Sequence, residues 1–386
     1  MARHLTRFPR NDIMSLTEGA PRYDLAESVG PDLCLRDLVG DGDLADMPLS
    51  YGTAAGSHDL RKAIADLHDV RADDVVITLG GMHALFLTAM ILCEPGDEAV
   101  TTSPLFPNTA AALASVGATV RTLPLSFGDG YRLQLDDLRA HLSPKTRLVS
   151  LASPQNPSGV VIPRQTIRDI ATLMSDLCPD AFLIIDETYR EAVYGDTAIA
   201  PSAISLGPKI VSCASLSKCH GAPGLRIGWA ITRDAALREQ LVLGKFNTVI
   251  SCSPLDEALA LRVLGQRDRI IGERRKHLAE GLARVAGWAE GNDALVEWVR
   301  PHAGALCCVR LKPSAFDDAA VARFYGELER EGVQVASGTW FGDEARVFRL
   351  GFGLLDMEDL DAALARLSTA LRTASQAVRL TVVPAA

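Results

Sequence analysis

One lysine, one arginine and two serines stand close together in a stretch that could carry chemistry. Lys218 follows Ser215 and Ser217 and precedes Arg226 by eight residues. Serine hydroxyls and a planar guanidinium suit a phosphate group, and a lysine amine that loses its proton through burial becomes a nucleophile for a carbonyl carbon. A solvated loop lysine flanked by serines would show the same residues, so this chemistry needs support from other parts of the chain.

The elements around this stretch predict where it lies in the fold. Residues 209–214 form a short apolar run that predicts a buried strand, and Gly221, Pro223 and Gly224 then indicate a bent loop instead of a helix. Functional residues of open α/β sheets collect at the carboxyl ends of the strands, where this loop would lie. We therefore expect the hydroxyls, the amine and the guanidinium to meet at one sheet edge, a combination that suggests pyridoxal phosphate (PLP).

A carboxylate follows another predicted buried strand. Asp186 comes directly after the apolar residues 181–185, and a carboxylate in that position needs a cation, such as a protonated pyridine nitrogen, as its partner. A helix N-cap would also explain Asp186. Tyr189, three residues later, could reach the phenolate oxygen of the same ring.

Two turn motifs offer further polar groups. Asn156 lies in the turn sequence Ser-Pro-Gln-Asn-Pro-Ser-Gly, where its amide suits the phenolic oxygen of pyridoxal. Gly80 and Gly81 separate a predicted strand at 74–79 from an apolar helix, so the backbone N–H groups there and at Met82 can meet an anion. A plain tight turn is the alternative interpretation of the glycine pair.

Together these motifs resemble those of the class I and II aminotransferases, the fold type I enzymes related to aspartate aminotransferase. The resemblance rests on Ser-x-Ser-Lys followed by Gly-Leu-Arg-Ile-Gly at 215–228, on Pro-x-Asn-Pro-Ser-Gly at 154–159 and on Asp-x-x-Tyr at 186–189. It spans about residues 15 to 375. It implies an α/β fold with a large domain, in which a mainly parallel seven-stranded sheet lies between helices, and a smaller α+β domain.

The resemblance implies a PLP-dependent aminotransferase, which moves an amino group between an L-amino acid and a 2-oxo acid. It assigns catalysis to Lys218, Asp186 and Tyr189; Lys218 holds the aldehyde as an aldimine and moves a proton, and Asp186 keeps the ring nitrogen protonated. Two alternatives stay open. Related fold type I enzymes use the same residues for elimination, cyclisation, decarboxylation or oxidation, and a non-catalytic sensor could bind PLP.

The same resemblance places further residues around the cofactor and the substrate. Phe106, in Ser-Pro-Leu-Phe, is expected to stack on the cofactor ring, and Tyr51 to reach the cofactor phosphate of the neighbouring subunit in a homodimer with shared active sites. Gly19, in Gly-Ala-Pro, is expected to meet the substrate carboxylate through its backbone, and Arg349 to bind it with two hydrogen bonds. The cofactor-binding set is Gly80, Gly81, Met82, Phe106, Asn156, Asp186, Tyr189, Ser215, Ser217, Lys218, Arg226 and Tyr51, and the substrate-binding set is Gly19, Asn156 and Arg349.

The length and the net charge of the chain limit its possible domain organisation and its partners. A chain of 386 residues accommodates a large and a smaller domain. We predict an N-terminal arm with part of the small domain at 1–45, a large PLP-binding domain at 46–270 and a C-terminal small domain at 271–386. The net charge of -9 argues against nucleic acid or an anionic membrane as the main partner.

The sequence shows no membrane-spanning run, no secretory signal and no metal-binding cysteine motif, and these observations determine the location and the chemistry that we expect. No apolar run is long enough to span a bilayer, and the N-terminal residues lack the apolar core of a secretory signal, which predicts a cytoplasmic protein. The eight cysteines contain no Cys-x-x-Cys pair and no Cys/His set at zinc spacing. We therefore expect reduced core cysteines and no metal site. No motif identifies the substrate side chain.

Overall fold

The computed structural model describes residue 8 and residues 11–18, 21–40 and 44–379. Two sheets and a separate strand pair form the frame of this part of the chain. In chain order the strands are β1 (Tyr23–Asp24), β2 (Val75–Leu79), β3 (Glu98–Ser103), β4 (Thr119–Pro124), β5 (Thr146–Ala152), β6 (Phe182–Asp186), β7 (Ile210–Ser215), β8 (Ile227–Thr232), β9 (Val296–Val299), β10 (Leu306–Leu311), β11 (Val333–Gln334), β12 (Ala336–Ser337) and β13 (Val347–Gly351). The α-helices are α1 (Ser15–Glu18), α2 (His58–His68), α3 (Gly80–Leu92), α4 (Pro107–Ser115), α5 (Leu135–His141), α6 (Arg164–Leu177), α7 (Ala235–Val249), α8 (Pro254–Gly265), α9 (Arg267–Gly291), α10 (Asp318–Glu331) and α11 (Met357–Arg379).

The larger sheet has seven strands in the order β2-β8-β7-β6-β5-β3-β4. From β7 to β4 all neighbours pair in parallel, whereas β8 runs antiparallel to both β2 and β7. The carboxyl ends of every strand except β8 therefore lie at one edge of this sheet. The topology confirms the prediction of a mainly parallel seven-stranded sheet.

Alternate residues of the central strands face opposite layers of helices. Leu183 and Ile185 of β6 pack in one cluster with Ile170 of α6, while Ile184 packs in another cluster with Leu87 of α3. Successive side chains of a strand point to opposite faces, so helices cover both faces of the sheet. Strands buried on both faces need nearly continuous apolar sequence, and this composition makes β6 and β7 recognisable from the sequence.

The smaller sheet contains β12, β13, β10 and β9, and its neighbours are antiparallel. Its core joins Phe324 of α10, Phe348 of β13 and Leu364 of α11. The N-terminal segment enters the same region, because β1 pairs in parallel with β11 through Tyr23 and Val333. Helix α9 runs without a break across the predicted domain boundary at 270/271, and the domain limits remain a prediction.

The structure bears on the predictions about membrane-spanning segments and about the cysteines. Over the ranges given above, no helix has the length and apolarity that crossing a bilayer requires. All eight cysteines are free thiols, and seven of them are buried as expected. The prediction of core cysteines is wrong for Cys34, which is exposed because it precedes a short 3-10 turn instead of lying in an apolar strand.

Candidate active site

Three predicted site residues lie close together because their strands are neighbours. Asn156, Asp186 and Lys218 come at or after the ends of β5, β6 and β7, which pair in parallel. The register aligns Ala152 with Asp186, and Asp186 with Cys213. The chain thus delivers an amide, a carboxylate and an amine to the same carboxyl edge of the sheet.

A site that could bind an anion lies beside them, where β8 lies between β2 and β7. We call this site the phosphate cradle. Gly228 aligns with Thr78 on one side and with Ser215 on the other, so the start of α3 and the serine loop are brought together. A Cβ on Gly228 would lie 2.4 Å from the carbonyl carbon of Gly80 and 2.6 Å from the backbone nitrogen of Gly81. Only glycine allows the strand to approach the helix this closely.

Arg226 contributes a positive charge to the cradle. Its guanidinium lies against Gly80, where a Cβ would be 2.7 Å from Nη2, and its Nη1 donates to the Pro223 carbonyl at 2.9 Å. The first N–H groups of a helix have no intrahelical partner, and the helix dipole is positive there. The start of α3, the hydroxyls of Ser215 and Ser217 and the Arg226 guanidinium therefore fit a phosphate group.

Asp186 has the properties of a carboxylate that needs a cation. It is half-buried, and burial raises its pKa although Thr188 donates hydrogen bonds to it, one of them from the backbone N–H at 2.9 Å. The neighbouring Glu187 raises the pKa further, and among the described residues no cation is one of the groups that lower it. A protonated pyridine nitrogen would supply that positive charge, so this side of the site also fits the cofactor.

Lys218 is shifted in the opposite direction. Burial lowers the pKa of its amine, the Glu27 carboxylate 3.8 Å from Nζ raises it, and the Arg349 guanidinium lowers it again. The net effect is a lowered pKa, so a larger share of this amine is neutral at a given pH than for an exposed lysine. The neutral amine is the form that attacks an aldehyde.

Arg349 and Asn156 are in direct contact. Arg349 lies in β13 with 1% of its surface exposed, and its Nη1 donates to Oδ1 of Asn156 at 2.8 Å. Its Nη2 donates to the Ala26 carbonyl, and the Phe341 ring centre lies 4.7 Å from the guanidinium carbon. Nε has no hydrogen-bond partner within the part of the chain that the structure describes. A guanidinium held this firmly is suited to binding a carboxylate through two parallel hydrogen bonds.

Tyr189 is buried, and its hydroxyl faces the N-terminal segment. The hydroxyl lies 2.8 Å from Oγ of Ser28, in a hydrogen bond that either group can donate. Burial raises the pKa of Tyr189, so the phenol stays protonated at neutral pH. Ser28 thereby fixes the position of the tyrosine that the sequence analysis assigned to the cofactor oxygen.

Other predicted residues are less closely tied to this cluster. Tyr51 is 81% exposed and lacks the packing of the other cofactor residues. Phe106 is half-buried and packs beside Phe341 in a small apolar cluster. Met82, in the first turn of α3, packs against the apolar cluster of that helix. Gly19 lies outside the described residues.

The segment after β1 enters the site without having been predicted. Ala26, Glu27 and Ser28 contact the arginine, the lysine and the tyrosine described above. The Gly-Pro pair at 30–31 is a turn signal that could have directed attention to this segment. The resemblance to the family pointed instead to Gly19, in Gly-Ala-Pro.

A buried charged network lies behind the lysine loop. Glu191 accepts a hydrogen bond from Arg267 at 3.0 Å, and its other oxygen lies 3.4 Å from Nε2 of His220. Burial raises the pKa of Glu191, but its interactions with His220 and Arg267 hold that pKa at about 2. His220 is two residues from Lys218, so the network supports the loop on its buried side.

The fold and the site together define a class of protein. A mainly parallel α/β sheet that carries an amine, a carboxylate and an anion cradle at its carboxyl edge is the arrangement of fold type I PLP enzymes. The family described as aminotransferase class I and II matches residues 11–367. The chain belongs to this family and is a PLP-dependent aminotransferase, which confirms the family, the activity and the cofactor expected from the sequence.

Individual relatives resemble the chain over most of its length. The arginine–pyruvate transaminase of Pseudomonas aeruginosa is 29% identical over 377 residues, covering 92% of this chain and 89% of that protein. The capreomycidine synthase of Streptomyces vinaceus is 30% identical over 337 residues, covering 87% of this chain and 84% of that protein. The structure of a PLP-dependent aminotransferase from Streptococcus suis matches with a TM-score of 0.86 at 27% identity, covering 95% of this chain and 98% of that chain.

Proposed function

We propose that PLP binds across the carboxyl edge of the larger sheet. The start of α3, Ser215 and Arg226 hold its phosphate, with Ser217 beside them. Asp186 pairs with the ring nitrogen, and Asn156 faces the phenolic oxygen. When bound, the cofactor supplies an electron sink for the charge that remains when an amino acid loses its α-proton.

Lys218 is the residue that we propose to join the cofactor aldehyde and to move the α-proton. The observation that carries this role is the lowered pKa of its amine at the carboxyl end of β7, next to the phosphate cradle. A general base works best when its pKa lies near the working pH. The ammonium that forms when the amine takes the α-proton is then the acid that gives the proton up again.

Arg349 is proposed to orient the substrate through its α-carboxylate. Its buried guanidinium is fixed by Asn156 and by the carbonyl of Ala26, so an incoming carboxylate meets donors that are already in place. Correct positioning of the α-carbon beside the base contributes strongly to such reactions. We therefore propose an L-amino acid as donor and a 2-oxo acid as acceptor.

We further propose that the active unit is a homodimer. Leu49, Tyr51, Phe246 and Ile250 are exposed apolar or aromatic side chains, and the backbone N–H after Tyr51 donates to Oγ of Ser251 at 3.2 Å, which brings the two segments together. Exposed apolar patches of this kind mark interaction surfaces. A second copy covering the patch would carry Tyr51 toward the phosphate cradle of its partner, as the family resemblance implies.

A second candidate function is cyclisation of the amino acid without net amino transfer. The similarity to a solved structure described as a PLP-dependent cyclase, at 27% identity and a TM-score of 0.84, supports it. The same lysine, aspartate and arginine can serve either outcome, and the surrounding side chains select the bond that reacts. The two candidates differ in their need for an acceptor, since only a transaminase requires a 2-oxo acid.

One experiment separates these candidates. Holoenzyme is mixed with a panel of amino acids in the absence of any 2-oxo acid, and the cofactor absorbance and the products are followed. A transaminase stops after one equivalent of 2-oxo product per site and resumes when pyruvate or 2-oxoglutarate is added. Continued product formation without an acceptor would reject transamination as the main reaction.

A further inference from the structure

Glu27 places a negative charge inside the site, and the proposed function gives this charge no role. Its Oε2 lies 3.8 Å from Nζ of Lys218, and its side chain is 21% exposed. The roles proposed for Lys218, Arg349 and Asp186 require no carboxylate at this position. Glu27 therefore calls for an explanation of its own.

The position of Glu27 is fixed by its surroundings. Oδ1 of Asp24 accepts a hydrogen bond from the backbone N–H of Glu27 at 3.0 Å, and Oε2 of Glu27 accepts one from the N–H of Ser28 at 3.1 Å. Gly351 of β13 packs so closely on the Glu27 carbonyl oxygen that a Cβ would lie 1.8 Å from it. Groups that set specificity need this kind of support.

Two neighbours define which part of a bound amino acid Glu27 faces. In the proposed function Arg349 takes the α-carboxylate, and Lys218 must reach the α-hydrogen. The carboxylate of Glu27 lies 3.8 Å from the lysine nitrogen and comes from a different segment of the chain. A donor side chain that leaves the α-carbon on this side of the lysine would come within contact range of Glu27.

Glu27 loses its ion-pair partner when the amine of Lys218 reacts. In the structure the Lys218 amine is its ion-pair partner. Once this amine is committed to the cofactor or to proton transfer, a partly buried carboxylate is left without that cation, which is unfavourable. A positively charged donor side chain would replace the cation, whereas an acidic side chain would add a like charge.

We propose that Glu27 is a specificity-determining residue that favours amino donors with a cationic side chain, either a guanidinium or an ammonium group. This inference rests on the proposed function, because the donor must lie between Arg349 and Lys218. In an opposing explanation, Glu27 occupies the place of the substrate carboxylate when the site is empty of substrate. Removing its charge would then raise kcat/KM for every donor by the same factor.

Donor dependence distinguishes these explanations. We compare the parent and Glu27→Gln holoenzymes with arginine, lysine and norleucine as donors and pyruvate as acceptor. The kcat/KM for arginine and lysine should fall by about tenfold, a change of about 1.4 kcal/mol, while that for norleucine changes much less. An equal change for all three donors would overturn the inference.

A matched control removes the same charge elsewhere. Glu94 is exposed and follows α3, a helix of 13 residues, which places it about 20 Å from the cofactor end of that helix. Glu94→Gln should alter kcat/KM for each donor by no more than about twofold, as expected of a remote surface change. A loss specific to cationic donors in this variant would show that net charge, and not Glu27, sets the preference.

Binding of an unreactive analogue gives a readout that is independent of turnover. The compound 5-guanidinopentanoate has the carboxylate and guanidinium of arginine but no α-amino group, and hexanoate lacks the cation. Calorimetry on the parent holoenzyme should show tighter binding of the guanidino acid, and Glu27→Gln should lose this preference. Equal affinity of the parent for both acids would overturn the inference even if the variant failed to fold.

The inference and the proposed function fail in different ways. If the parent holoenzyme transfers no amino group yet prefers the guanidino acid, the proposed function is wrong and the charge preference of Glu27 stands. If the parent uses norleucine as well as arginine and binds both acids equally, the proposed function stands and the inference about Glu27 is wrong.

Discussion

At the scale of single residues, two lysines show what distinguishes a reactive amine from one that is merely buried. Burial lowers the pKa of both Lys218 and Lys245. Lys245 lies in α7 with no exposed surface and has Cys252 and Glu257 as neighbours. Lys218 is half-buried and lines a cavity together with Ser28 and Tyr189. A lowered pKa becomes useful only where a substrate can reach the nitrogen, and Lys218 alone of these two meets that condition.

Replacement of Lys218 tests this distinction. Lys218→Ala should leave a folded protein that binds PLP without a covalent bond, because the phosphate cradle and Asp186 are untouched. Borohydride reduction of the parent holoenzyme followed by mass spectrometry of peptides should find the cofactor on Lys218. The buried Lys245, whose pKa is also lowered, is the internal control, and a label there or on any other lysine would contradict the assignment.

At the scale of elements, local patterns predict some parts of the fold and miss others. The apolar runs of β6 and β7 indicate buried strands directly, whereas the edge strand β4, in which only Leu123 is buried, lacks that signal. The candidate site divides in the same way. Lys218 and Asp186 lie in local motifs, but Glu27 reaches the site only because Tyr23 pairs with Val333, a contact that no local pattern encodes.

The close contact between β8 and α3 makes Gly228 a sensitive position. In Gly228→Ala the added methyl group would overlap the backbone at the start of α3. We expect weaker PLP binding and a free energy of unfolding lower by about 1–3 kcal/mol, as overpacking usually gives. Titration of the apoenzyme with PLP and urea unfolding measure the two effects.

Gly272 in α9 provides the control for this substitution. Apart from its own stretch of helix, no atom of the described residues lies within 4 Å of a Cβ built there, and alanine is favoured over glycine in a helix by up to about 1 kcal/mol. Gly272→Ala should therefore keep PLP affinity and maintain or increase stability. Parental PLP affinity in Gly228→Ala would contradict the proposed cradle.

The network around Glu191 predicts a pH-dependent stability. Its pKa is held at about 2, below the ordinary value of 4.5, so its contribution is complete above pH 4.5 and is lost as the pH falls through about 2. Glu191→Gln leaves Arg267 without its buried partner and should lower the free energy of unfolding at pH 7 by about 2–4 kcal/mol.

Urea unfolding at two pH values checks the sign of this effect. At pH 3 the difference between the parent and Glu191→Gln should shrink to about half or less of its value at pH 7, because the carboxylate of the unfolded parent is then protonated and folding must release that proton. Glu290→Gln changes an exposed residue near the end of α9 and should have little effect at either pH. A constant difference for Glu191→Gln would mean that the network does not depend on its charge.

At the scale of the whole molecule, the exposed position of Tyr51 predicts complementation between subunits. In the proposed homodimer Tyr51 serves the partner's site, whereas Lys218 serves its own. Mixing inactive Lys218→Ala and Tyr51→Ala proteins places both defects in one site of each heterodimer and leaves the other site intact. Activity should return toward about half of the parental sites per heterodimer, as an isologous pair requires.

The control for this mixture uses two residues that both serve the active site of their own subunit. Lys218→Ala mixed with Asp186→Asn should stay inactive, since each site of that heterodimer carries one defect. Subunit exchange is verified by mass, using a tagged and an untagged protein. If heterodimers form and the first mixture also stays inactive, Tyr51 is an ordinary surface residue.

The attachment of the N-terminal segment to the smaller sheet has a consequence for protein engineering. Because β1 pairs with β11 and the next residues pack on β13, Glu27 and Arg349 are carried by the same part of the fold. Lys218 and Asp186 are carried by the larger sheet. Under the proposed function, we therefore predict that the part of the fold that selects the amino acid can be exchanged separately from the part that carries the cofactor residues. A chimaera that takes only the smaller sheet and the N-terminal strand from a relative should accept that relative's donor while the absorption spectrum of its bound PLP stays parental.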